Sequence, residues 1–401
     1  LWNFLYNYLS VEGLDMHKYA TLNNIASLGI SRFDDNFAKT DNIDEASGIL
    51  VRSAKMHDMD FSDNLIAIAR AGAGVNNIPV DRCTEEGIAV FNTPGANANG
   101  VKELVIAGML LSSRDIVGGI DWVVENAENE DISAMTEKEK KKFAGTELSG
   151  KKIGIIGLGA IGVRVANAAL NLGMDVYGYD PYVGIDSAWS LSSSVTYVKE
   201  IERIYKRCDY ITIHVPAMDS TRHYIDKDSI NMMKHGVVVI NMARDILVDE
   251  EAMVKALDAG KVSRYVSDFP NAVVAGHKGC ITIPHLGAST KESEANCAVM
   301  AVDEIQDFIK NGSIVNSVNF PNCQVGPWIE GQRVTIYHKN TNNMINYFTN
   351  ITSEMGINIA GMTNKSRGEY AYTVLDVDSI FPEDVANKLK EIEGIIRVRV
   401  L

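Results

Sequence analysis

One segment, KIGIIGLGAIGVRVA, constrains this chain more than any other. It places Gly157-x-Gly159-x-x-Gly162 after an apolar run that reads as a strand and before a helical pattern. Asp180 closes the next strand-like run, 18 residues after Gly162. A lone Gly-x-Gly-x-x-Gly string is a weak signal, and without a ligand it is only a glycine-rich turn. Strand, turn, helix and an acid at this distance together form the context of a dinucleotide site. The first glycine makes the turn, the second lets a pyrophosphate approach, and the third lets helix and strand pack. The helix N-terminus adds N–H donors and a positive dipole end. A carboxylate at Asp180 suits a ribose 2′-hydroxyl and repels a 2′-phosphate, so the expected cofactor is NAD. Gly157, Gly159, Ala160, Ile161, Gly162 and Asp180 are its candidate ligands.

The surrounding pattern fits an α/β fold. From residue 152 onward, strand-like runs at 152–156, 175–179, 210–215, 236–242, 264–269 and 280–283 alternate with helical stretches. That order predicts βαβ units and a Rossmann-type doubly wound parallel sheet. Before it, short apolar runs at 48–53, 65–70 and 88–91 sit between polar turns. Long helices are expected at 101–126 and 290–310, and a linker at 321–327. The segment after it reads β-α-β-β-α-β, a ferredoxin-like order that makes a small separate domain.

Composition excludes other classes. The chain has 401 residues and a formal net charge of −14, which argues against nucleic acid as a partner. No apolar run approaches the ~20 residues of a membrane span. Five dispersed cysteines, without a CxxC pair, read as reduced thiols of a cytoplasmic protein. Residues 1–15 lack a basic start and a small-residue cleavage site, so they read as an upstream extension with Met16 as the natural start.

Two further residues stand where ligands bind an open α/β sheet, beyond the carboxyl ends of strands. Arg244, in NMARDILVDEE, can capture a carboxylate with two parallel hydrogen bonds. It could equally be a surface ion-pair partner. His285, in ITIPHLGAST, is placed to be a general base. His214, in IHVP, ends a strand and, with Val215, Pro216 and Ala243, is read on the cofactor side.

The run LVRSAKM, IARAGAGVNNI, FNTPGANANGVKELV, KKIGIIGLGAIG, YGYDP, VINMARDILVDEEAM, IPHLGASTKESE and SVNFP resembles the D-2-hydroxyacid dehydrogenase family, in particular its members that oxidise 3-phosphoglycerate. With the C-terminal NIAGMTNKSRGEYAY and IEGIIRVRV, the resemblance covers almost everything after Met16. It implies that His285 takes the substrate hydroxyl proton and Arg244 binds its carboxylate. It implies a discontinuous, flavodoxin-like substrate domain (17–97 plus 288–322), an NAD-binding domain (98–287) and an ACT-like regulatory domain (330–401). The substrate loops then carry Arg52, Ser53, Arg70, Gly72 and Gly74. Lys141, in the basic run 140–142, matches a stretch that in relatives reaches a neighbouring subunit's site, though a solvated charged face fits that run as well. The implied partners are a small phosphorylated hydroxy acid and further copies of the chain, as a homodimer or homotetramer.

The chain departs from the family in three places. The family has a Glu that orients the catalytic His, whereas no Glu lies between Glu251 and His285. Asp268 is the candidate substitute. Lys102 stands where relatives carry a small residue, as an altered substrate-site residue or an ordinary helix-start lysine. In the C-terminal domain, His338, Asn340 and Asn358 match positions that bind L-serine in feedback-inhibited relatives, but Asn342-Asn343 replaces the usual Pro-Gly. The expected activity is NAD-dependent oxidation of 3-phosphoglycerate in serine biosynthesis. The alternatives are another D-2-hydroxyacid dehydrogenase or a catalytically weakened NAD-binding sensor.

Overall fold

The computed structural model describes residues 16–328 and 330–401; the expected extension, 1–15, lies outside the described residues. The chain divides into two compact units, residues 97–293 and the remainder on either side.

The flanking unit opens with β1 (His17–Thr21), β2 (Phe37–Lys39), β3 (Gly48–Val51), β4 (Ala67–Arg70) and β5 (Ala89–Phe91). They form a parallel sheet in the order β2-β1-β3-β4-β5, the flavodoxin-like order. All four residues of β3 are buried, as strands covered on both faces require.

In the 97–293 unit, α1 (Ala98–Ser113) and α2 (Ile116–Glu125) replace the single helix expected at 101–126. The Ser113 hydroxyl turns back to the Leu110 carbonyl, Arg114 is extended, and the Asp115 carboxylate accepts the Gly118 N–H at 3.2 Å. Ser and Asp offer the backbone side-chain partners that end one helix and cap the next. Next come β6 (Lys152–Ile156), α3 (Ala160–Asn171), β7 (Asp175–Tyr179), β8 (Thr196–Tyr197), β9 (Tyr210–Ile213), β10 (Val237–Asn241), β11 (Val262–Ser267) and β12 (Cys280–Thr282). All are parallel, in the order β12-β11-β10-β9-β6-β7-β8, so the winding reverses between β6 and β9.

The long helix α4 (Lys291–Asn311) leads back to the flanking unit. There β13 (Gln332–Lys339), α5 (Met344–Glu354), β14 (Ile359–Arg367), β15 (Tyr370–Val377), α6 (Glu383–Lys390) and β16 (Ile395–Val400) build an antiparallel sheet in the order β14-β15-β13-β16. Val334 and Ile336 face a core shared with Phe348 and Leu389 of the helices. Tyr337, Tyr372 and Val374 instead join the core of the first sheet, with Phe91, Phe308 and Phe320. The alternation of a strand gives each face its own partner. Arg397 donates to the Leu65 carbonyl and Tyr372 to that of Gly312. The expected linker at 321–327 is not a free tether: Cys323 is buried and exchanges both backbone hydrogen bonds with Ile314. Among the described residues no helix is long and apolar enough to cross a membrane.

Candidate active site

The glycine turn lies at the carboxyl end of β6, where the winding reverses. Gly157 has φ +92°, and a Cβ there would sit 2.7 Å from the His214 carbonyl oxygen. A Cβ on Gly162 would meet the Gly157 carbonyl oxygen at 1.9 Å. A Cβ on Gly159 would meet nothing within 4 Å. Two of the three glycines are therefore needed by the fold itself, while the third faces open space at the start of α3. That is the cradle a pyrophosphate needs. Ala160 and Ile161 form the first turn of α3. Asp180 accepts the Leu158 N–H at 2.8 Å and the Tyr182 N–H at 2.8 Å, which ties the acid to the turn. Its remaining lone pairs can take ribose hydroxyls.

His214 reaches this turn through its backbone, and Val215 Cγ1 lies beside it; Pro216 is exposed. The imidazole turns toward Thr212 Oγ1, at 3.0 Å, and its Nδ1 is buried without a partner. Burial pushes its pKa down to about 4, so the ring is neutral.

Three adjacent strands deliver the other candidates. Beyond β10, Arg244 donates to the Ala243 carbonyl at 2.6 Å and makes no other side-chain hydrogen bond among the described residues. The rest of its guanidinium fork is uncommitted. Beyond β12, His285 sits at φ +56°, in the left-handed region that a non-glycine residue seldom adopts. Between them, after β11, lies Phe269. Its ring centroid is 5.8 Å from Arg244 Cζ and 4.9 Å from the His285 ring centroid.

Asp268 does not take the place expected for it. Its side chain accepts the backbone N–H of Leu286 at 2.7 Å and of Gly287 at 2.8 Å. Its carbonyl accepts the His285 N–H. Among the described residues, no hydrogen bond reaches the His285 ring. The carboxylate braces the loop that holds His285 in its strained conformation, and acts through the backbone. Burial raises its pKa above the ordinary carboxylate value, against the two N–H groups and the nearby His285 and Arg244. Lys102, on α1, pairs with the adjacent Glu103 at 3.5 Å. Lys141 is exposed in a short 3₁₀ turn, Lys140–Phe143, whose flanking Lys140 and Lys142 pair with Glu137 and Glu139.

In the flanking unit, Arg52, Ser53, Arg70, Gly72 and Gly74 form one edge past β3 and β4. Arg70 donates to the carbonyls of Arg52 and Gly74, and Gly72 N–H to the Arg70 carbonyl. Arg52 is held by Glu294 at 2.7 Å.

The sequence reading missed three positioning residues. Asn23 Oδ1 gathers the N–H groups of Arg52, Ser53 and Ala54 at 2.9–3.0 Å. Asn241, fully buried, donates to the Arg244 carbonyl and accepts the Ala243 N–H. Phe269 is the third. An Asn closing an apolar strand is the one available signal.

The three regulatory candidates do not converge within one chain. His338 is buried, with its ring nitrogens 2.8 Å from the Lys339 carbonyl and 2.9 Å from Thr373 Oγ1. Asn340 donates to Gly368 at one end of the antiparallel sheet, and Asn358 to Asp378 at the other.

Residues 106–287 match the model of the D-isomer specific 2-hydroxyacid dehydrogenase, NAD binding domain. The D-3-phosphoglycerate dehydrogenase of Haemophilus influenzae is 32% identical over 355 residues, covering 86% of this chain and 83% of that protein. The D-3-phosphoglycerate dehydrogenase of Methanocaldococcus jannaschii is 35% identical over 289 residues, covering 70% of this chain; the chain spans 53% of that protein's length. Among solved structures, cofactor (NAD+) bound 3-phosphoglycerate dehydrogenase of Entamoeba histolytica superposes with a TM-score of 0.57 at 26% identity, over 76% of this chain and 98% of that one. The chain therefore belongs to the D-isomer specific 2-hydroxyacid dehydrogenase family, and its NAD-binding domain is the unit whose glycine turn, Arg244 and His285 are described above.

Proposed function

We propose that this chain oxidises 3-phosphoglycerate to 3-phosphohydroxypyruvate with NAD, the entry step of serine biosynthesis. The observation that carries this reading is the triplet Arg244, Phe269 and His285 at the carboxyl ends of three adjacent strands, in the unit that holds the glycine turn. NAD, held by the Gly157–Gly162 turn and Asp180, would supply the acceptor for the hydride that leaves the hydroxyl-bearing carbon. His285 takes the hydroxyl proton, and the uncommitted fork of Arg244 holds the carboxylate. Phe269 fixes both side chains, and Asp268 holds the loop of His285. Arg52 and Arg70 are the proposed ligands of the phosphate, on the family resemblance; Ser53, Gly72, Gly74, Lys102 and Lys141 are proposed with them, and Val215, Pro216 and Ala243 on the cofactor side. The divisions 17–97 plus 288–322, 98–287 and 330–401 are the proposed domains, the last an ACT-like regulatory module. The enzyme is read as a cytoplasmic homo-oligomer, on its unpaired cysteines and on the exposed apolar residues of α2. L-Serine remains the proposed effector, through Asn340 and Asn358 of different copies rather than through His338.

The test is NADH formation from millimolar 3-phosphoglycerate and NAD. Steady NADH production is expected, and none at all sinks the proposal. Arg244→Ala removes two charge-assisted hydrogen bonds, each worth ~1.5–3 kcal/mol, so kcat/KM should fall by roughly 10²–10⁴.

A further inference from the structure

We infer a second small-molecule site in the flanking unit, a basic pocket that takes a small oxyanion such as a phosphate monoester or a carboxylate. A cavity of about 520 Å³ opens where three segments meet: Asn92 just past β5, the loop after α4 with Asn316 and Asn322, and the end of β14 with Lys365, Ser366 and Arg367. That volume suits a small metabolite. Its lining holds two cations, three side-chain amides and hydroxyls, and no carboxylate among the described residues. In a chain of net charge −14, such a patch is a local reversal of the field, which concentrates anions.

The pocket is built rather than incidental. Arg367 is anchored by one nitrogen on the Ser317 carbonyl at 3.0 Å, which fixes the fork while leaving other donors for a ligand. The Lys365 ammonium has no hydrogen bond or ion pair among the described residues. Asn316 has φ +60° and donates its amide to Glu304 Oε1 at 2.7 Å, so its place on the wall is set from behind. Burial pushes the Glu304 carboxyl up to about 8, so this acid behind the wall is largely neutral at pH 7 and does not cancel the two cations. A bound anion would tie β14 of the C-terminal sheet to the loop that follows α4. The pocket thereby offers that sheet a route for sensing a metabolite that is independent of the dehydrogenase residues.

The test is isothermal titration of the whole protein with inorganic phosphate and, separately, with malonate. The parent should bind one of the two saturably in the millimolar range or tighter, and which one binds decides between phosphate and carboxylate chemistry. Lys365→Gln with Arg367→Gln should weaken that binding by roughly tenfold or more. Arg52→Ala, in the proposed substrate loop, should leave it in place. Lys365→Gln alone, at an exposed side chain with no partner to lose, should weaken it by roughly threefold and keeps the test sound if the double variant folds poorly. Binding unchanged in both pocket variants, or no saturable binding of either anion, overturns the site.

Discussion

Gly159 and Gly162 stand three residues apart in one turn and differ in what depends on them. A methyl at Gly162 would collide with a backbone oxygen, whereas one at Gly159 would enter open space. Gly162→Ala should therefore lower Tm, and Gly159→Ala, at φ −77°, should leave Tm unchanged while weakening NAD binding at least roughly tenfold. Thermal melts beside NAD titrations separate the two, and a Gly159→Ala protein with parental NAD affinity would show that the cofactor does not use this space. Asp268 allows a similar separation. Replacing its carboxylate by an amide in Asp268→Asn leaves one backbone N–H of the 286–287 pair without its acceptor, a loss of ~1–3 kcal/mol. Because it acts through the loop, stability and kcat should fall together. A variant that loses kcat with unchanged Tm would mean the carboxylate acts on the imidazole itself. The glycine turn, Arg244 and His285 were legible in the sequence because each follows an apolar strand within a short motif. Phe269 and Asn23 were not, because their partners come from other strands, and Asn241 was not, because an Asn closing a strand does not show which backbone groups it will hold.

At the scale of elements, the pattern of apolar residues located the strands but ran α1 and α2 together. Apolar spacing continues across 113–116, and only the Ser-Arg-Asp chemistry there marks the break. The consequence is a separate α2, on which Val117, Ile120, Val123 and Val124 are 45–69% exposed. Val117, Ile120 and Val124 lie three and four residues apart, hence on one face. Exposed apolar residues clustered in this way are the type of surface that a partner covers. If the cover is a second copy, the parent should sediment as a dimer or larger. Ile120→Asp with Val124→Asp should then yield folded monomers, seen as a halved mass with an unchanged circular dichroism spectrum. A parent that is monomeric at micromolar concentration would refute the reading. The β-α-β-β-α-β order was equally legible. Its docking was not, since Tyr337 and Tyr372 read in sequence as ordinary strand residues and only the assembled core shows Phe308 and Phe320 against them.

For the molecule as a whole, that docking makes α4 the spine of the flanking unit, and α4 carries an acid in an apolar setting. Glu304 is 9% exposed; one oxygen accepts from Asn316, and the other is buried without a partner. Burial raises its pKa from 4.5 to about 8, with Asp303 adding to the rise and Asn316 opposing it. A carboxyl whose pKa is higher in the folded than in the unfolded chain favours folding when protonated. Its contribution is complete below pH 4.5 and is lost as pH rises through about 8, on the order of 3–5 kcal/mol in all. Burial also raises Asp268 and Glu250, which act in the same direction. Asp34, lowered first by its hydrogen bond to Lys310 in the last turn of α4, acts oppositely, and its contribution is lost only as pH falls through the acid range below 3.8. His214, lowered by burial to about 4, and His338, also lowered by burial, add stability as pH rises toward 6.5 and offset the carboxyls there. The urea midpoint should therefore decline between about pH 6.5 and about pH 8.5. Glu304→Gln keeps an acceptor for Asn316 and cannot ionise, so its midpoint should be nearly flat over that interval and exceed the parent's at the alkaline end. Parallel slopes for the two proteins would mean that Glu304 is already ionised in the folded chain, and that the α4 core admits enough water to keep it so.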